Sequence, residues 1–101
     1  MNLPEDPFVR ELLPEFVDSW LDDIDKQYKQ HIKTKNSNDL YRLAHTLKGS
    51  CFQFGLNNIA ELGIELMGYT KDNDWEQAKQ MEAKIKNAFI EVKNYLKELD
   101  N

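Results

Sequence analysis

One stretch of this 101-residue chain gathers side chains able to do chemistry: Leu40-Tyr41-Arg42-Leu43-Ala44-His45-Thr46-Leu47-Lys48-Gly49-Ser50-Cys51-Phe52-Gln53-Phe54-Gly55. A neutral imidazole keeps a lone pair on one ring nitrogen, so His45 can serve as a nucleophile. Lys48 follows by three residues, one helical turn, where an ammonium can attract the oxygens of an incoming phosphoryl group. Gly49 follows by four and costs about 1 kcal/mol of helix stability relative to Ala. A bare position beside His45 lets another protein's backbone approach the ring. Each feature also has an ordinary reading, since exposed helical histidines are usually plain surface residues and a helical glycine can serve packing alone. His31, in the last turn of its helix beside Lys29 and Lys33, suits a helix C-terminus and reads as structural. A zinc site on His31 and His45 would need further ligands that no His, Cys or carboxylate spacing supplies, so no metal is expected.

The spacing predicts how a helix would present these groups. At about 100° per residue, with Leu40 at zero, Leu43, Ala44, Leu47, Cys51 and Phe54 fall within roughly 60° of one direction, the core face. His45 falls at about 140°, with Lys48 near 80°, Tyr41 near 100°, Phe52 near 120° and Gly49 near 180°. The imidazole therefore points outward, among a cation, a bare position and two aromatics.

Helical periodicity runs along nearly the whole chain, and strand alternation and hairpin turns are missing, so the fold class is all-α. A short opening helix is expected at about residues 5 to 12, with Pro14 in the first turn of the next. Phe16, Val17, Trp20, Leu21, Ile24, Tyr28 and Ile32 form a buried stripe ending near Lys33. Asn36-Ser37-Asn38-Asp39 supplies cap oxygens for the His45 helix, about residues 37 to 54, which Gly55 should end. A fourth helix, with Leu56, Ile59, Leu62, Gly63 and Leu66 inward, runs to about Thr70. Asn73 and Glu76 have capping-box spacing ahead of a long last helix, whose stripe is Trp75, Ala78, Met81, Ile85, Phe89, Val92, Leu96 and Leu99. Connections this short favour an antiparallel up-down four-helix bundle, with the short extra N-terminal helix closing one end.

Composition narrows the partners. A length of 101 residues suits a single domain, residues 1–101, with one core. A net charge of −5 argues against nucleic acid, whose phosphates are bound through Lys and Arg. No apolar run approaches the roughly 20 residues that span a bilayer, and no basic-then-apolar leader opens the chain. The lone Cys51 cannot make an intramolecular disulfide, which fits a reducing cytoplasm.

Ala44-His45-Thr46-Leu47-Lys48-Gly49-Ser50 with Phe54-Gly55-Leu56 and the Leu62 to Leu66 stretch resembles the histidine phosphotransfer (HPt) domain signature, His-x-Leu-Lys-Gly-Ser with a glycine ten positions after the histidine. The resemblance implies His45 as phosphoacceptor, Lys48 as phosphate-side cation and Gly49 as clearance for a docked partner. It implies a phosphoryl carrier without kinase activity, in a multistep two-component phosphorelay. The partner is then a response-regulator receiver domain, either free or within a hybrid sensor kinase. Mg²⁺ is expected on that receiver and no cofactor on this chain, which is expected to be monomeric. Tyr41 and Phe52 are the candidate docking residues. Two positions depart from the family pattern: Met67 stands where many members carry Gln, 22 positions after the histidine, and Phe52 stands where the family usually has a small residue. Two other functions fit the same residues, the phosphoacceptor domain of a chemotaxis-type histidine kinase and a helical adaptor without phosphotransfer. A following dimerisation and ATP-binding region would mark the first, and absence of acid-labile phosphate the second.

Overall fold

The computed structural model describes residues 3–99, and every regular element among them is helical. Asp6 opens α1 (Pro7–Asp23) by accepting a hydrogen bond from the Phe8 amide at 2.9 Å, and Pro7 takes the first turn, where a missing N–H costs nothing. The start signal expected at Pro14 thus lies seven residues earlier, and the short N-terminal helix is not a distinct element. Pro14 sits inside α1. It withholds one hydrogen bond from the Arg10 carbonyl, but both residues are exposed and water can serve there, while Leu13 beside it is fully buried and holds the turn onto the core.

α1 passes through a π-helical segment, Ile24–Tyr28, into α2 (Lys29–Thr34). The Lys29 amide reaches the Ile24 carbonyl five residues back, and the wider turn adds a residue to the stripe. Ile24 and Tyr28 both stay buried, and the Tyr28 hydroxyl donates to the Ala78 carbonyl at 2.5 Å. Burial, with the Glu82 charge nearby, raises that hydroxyl well above its ordinary pKa.

Then come α3 (Ser37–Gln53), α4 (Asn57–Lys71) and α5 (Trp75–Leu99). Asn36 caps α3 by accepting from the Asp39 amide at 3.1 Å. Gly55 ends it with φ 75°, and the Leu56 amide returns to the Cys51 carbonyl at 2.8 Å, a Schellman closure. Lys35 and Asn73 close α2 and α4 in the same left-handed way, with φ 52° and 53°. The cap of α5 is therefore Asp74, not Asn73: Asp74 accepts from the Gln77 amide at 3.2 Å. Asn tolerates the left-handed region better than most residues, which frees it to terminate α4 and leaves the next carboxylate to start α5.

α3 packs on α4, α4 on α5, and α5 on α1. Asp18 pairs with Lys93 at 2.8 Å, Asp25 with Lys86 at 2.8 Å and Lys29 with Glu82 at 2.6 Å. One series rises as the other falls, so the first and last helices run in opposite directions. These exposed pairs add little stability. The core beneath them, from Leu13, Val17 and Trp20 to Ile85, Phe89 and Val92, supplies most of it. Phe16 stacks on Phe54 at 4.0 Å and Trp20 on Phe89 at 6.3 Å, joining three helices. The stripe of α5 leaves the core at its end, where Leu99 is half exposed.

Candidate functional site

α3 is anchored from one side only. Leu40, Ala44, Leu47 and Cys51 are buried, whereas His45, Gly49 and Phe52 are exposed on the opposite side and Tyr41 and Lys48 are half-buried between. This is the division the 3.6-residue period predicts, because a helix packed along one stripe must turn the other outward. His45, Lys48, Gly49, Tyr41 and Phe52 thus share one side of α3. His31 is not among them: it is half-buried and lines a cleft between the first helix and α3 with Trp20, Asp23, Asp39 and Arg42.

Among the described residues no side chain or carbonyl hydrogen-bonds the His45 ring. Met67 packs half-buried against the core and has no donor to offer the ring. At Gly49 an added Cβ would find nothing within 4 Å, so packing inside this chain does not require a glycine there. Phe52 is 46% exposed. Cys51 lies on the core face, and burial pushes its thiol up to about 12, which disfavours the thiolate that a nucleophile needs. No three His, Cys, Asp or Glu side chains among the described residues come together as a metal-holding group.

α4 contributes features that the reading of single helices missed. Gly63 is buried against α3, where a Cβ would meet the Ala44 carbonyl oxygen at 3.2 Å and the Lys48 nitrogen at 3.3 Å. These atoms are the backbone of the turn that carries His45. The Lys71 ammonium stands 5.7 Å from the centre of the Tyr41 ring, a cation–π contact bridging the two helices. Gly68 is open in the same way as Gly49. The propensity argument applied to Gly49 could have found Gly68, whereas nothing in the sequence reveals the close approach at Gly63.

A family model described as the Hpt domain matches residues 11–101. The chain belongs to the Hpt domain family. Membership of the Hpt family implies histidine phosphotransfer in phosphorelay signalling, through domains that are phosphocarriers rather than catalysts and that interact with response-regulator receiver domains. No curated protein and no solved structure gives a significant match. No helix among the described residues of this Hpt chain is long and apolar enough to cross a membrane.

Proposed function

We propose that this Hpt chain is a single-domain phosphoryl carrier of a multistep two-component phosphorelay, with His45 as phosphoacceptor. The observation that carries the reading is the exposed, unpartnered imidazole on the outer face of a helix whose other face is buried, four residues before an open glycine. A ring lone pair attacks the phosphorus of a receiver's aspartyl phosphate, the bond from phosphorus to the carboxylate oxygen breaks, and the carboxylate leaves. The reverse step delivers the group to a second receiver. Lys48, one turn on, attracts the phosphoryl oxygens, Gly49 leaves room for the receiver backbone, and Tyr41 and Phe52 take part in docking. Mg²⁺ belongs to the receiver. The chain acts in the cytoplasm as a monomer, alone or as a module of a hybrid kinase. Short connections and the opposed first and last helices support an antiparallel up-down four-helix bundle.

The test is incubation with receivers charged by acetyl phosphate, followed by mass spectrometry. Acid-labile phosphate is expected on His45, and none on His45→Ala, whose melting temperature stays near that of the parent because surface changes move stability by under about 0.5 kcal/mol. Lys48→Ala is expected to slow transfer without preventing folding. Phosphate found elsewhere, or none at all, would sink the reading.

A further inference from the structure

Two contacts fix how α4 lies along the histidine helix. Gly63 abuts the backbone of Ala44 and Lys48, so that turn of α4 is level with His45. Lys71 reaches Tyr41, so α4 then runs toward the N-terminal end of α3. Ile64 and Lys71 are seven residues apart, which places them within about 20° of each other around the helix. They form one row, and Lys71 shows that this row faces the Tyr41 and Lys48 row of α3. Ile64 therefore stands level with His45 on the adjacent helix, and it is 47% exposed. Four residues on, Gly68 has open space where a Cβ would stand and no positive φ. Neither backbone conformation nor packing calls for a glycine there.

We infer that Ile64 is an apolar anchor for the receiver docked over His45, and that Gly68 clears space for it, so the docking face spans α3 and α4. This rests on His45 being the phosphoacceptor. A standard interface buries about 800 Å² per partner, roughly a disc of 16 Å radius. Adjacent helices lie about 8–10 Å apart, which brings Ile64 inside a disc centred on His45. Phe52 is inside as well, seven residues or roughly 10 Å along α3. Between these two apolar side chains stands Lys48. The complementary partner has an anionic centre, which the phosphorylated aspartate of a receiver supplies, with apolar side chains beside it to meet Ile64 and Phe52.

The experiment uses the full chain, Ile64→Ser, and Ile64→Leu as the conservative variant. Each is phosphorylated with phosphoramidate, a small donor that needs no docking, and transfer is then followed to a panel of receiver domains. Expected are equal phosphoramidate rates and unchanged melting for all three proteins. For the preferred receiver, Ile64→Ser should lose at least tenfold in kcat/KM, mostly through KM, and Ile64→Leu should restore most of it. Unchanged transfer by Ile64→Ser overturns the inference and leaves the His45 reading standing. A loss of phosphoramidate labelling in Ile64→Ser also overturns it, since Ile64 would then act on the ring and not on docking. If sedimentation shows Ile64→Ser abolishing a dimer of the parent, the occupant is a second copy and the inference fails. A parent chain that takes phosphate from neither donor removes both readings.

Discussion

Replacing Gly63 with Ala tests whether α4 supports the histidine turn as closely as the structure shows. The new methyl would sit 3.2 Å from the Ala44 carbonyl oxygen, 3.3 Å from the Lys48 nitrogen and 3.5 Å from the Lys48 Cα. All three are backbone atoms within a helix, so no rotamer change relieves them, and α3 must move outward by a few tenths of an ångström. Overpacking of this kind costs about 1–3 kcal/mol, against about 1 kcal/mol gained by replacing a helical Gly with Ala. The net is a loss of about 0–2 kcal/mol, and each kcal/mol lost lowers the melting temperature of a domain this size by roughly 4–8 °C. Gly68→Ala is the matched control: it takes the same propensity gain in the same helix and meets nothing within 4 Å, so it should melt roughly 4–8 °C higher than the parent. Circular-dichroism melts of the two variants, with amide spectra of Ala44 and Lys48, provide the assay. Opposite signs are expected, with shifted Ala44 and Lys48 resonances in Gly63→Ala alone. If Gly63→Ala melts as high as Gly68→Ala, α3 gives way without cost and the argument from close approach is refuted.

The exposure of Phe52 separates binding from stability: Phe52→Ala should unfold at nearly the parent's urea midpoint, yet bind its receiver roughly 30-fold more weakly, the equivalent of about 2 kcal/mol. Lost stability with intact affinity would assign the ring to the fold. The Cys51 thiol, raised by burial from 9.0 to about 12, links stability to alkaline pH. Its folded-state pKa is the higher one, so its contribution is fully present below about pH 9 and is lost as pH rises toward 12. Tyr28, also raised by burial, acts in the same direction. Urea midpoints should fall between pH 8 and 10.5, and less so in Cys51→Ala. At pH 8 a disulfide reagent should label native Cys51 only as fast as the chain unfolds, and immediate stoichiometric labelling would contradict its burial.

The sequence by itself determined the helical class and the two faces of α3, because the 3.6-residue period is set within each turn and reports which stripe must be covered. Gly55 as the end of α3 was equally legible, since its left-handed φ is a local property that glycine adopts without strain. The outward position of His45, Gly49 and Phe52 followed from the same period. Where two local signals competed, the tertiary structure chose between them. Pro14 and Pro7 both fit a first turn, and burial of Leu13 carried α1 through the later one. Asn73 and Asp74 both fit a cap, and the demand for a left-handed residue at the end of α4 assigned Asn73 to that role. At the π-helical segment Ile24–Tyr28 both end residues are buried, and Tyr28 donates to the carbonyl of Ala78, a partner 50 residues away that no local pattern names. The seat of the Ala44–Lys48 turn on Gly63, and the row of Ile64 and Lys71 beside it, are distances between helices. No periodicity along one chain segment encodes such distances, because they are set by the side chains of both helices where they meet.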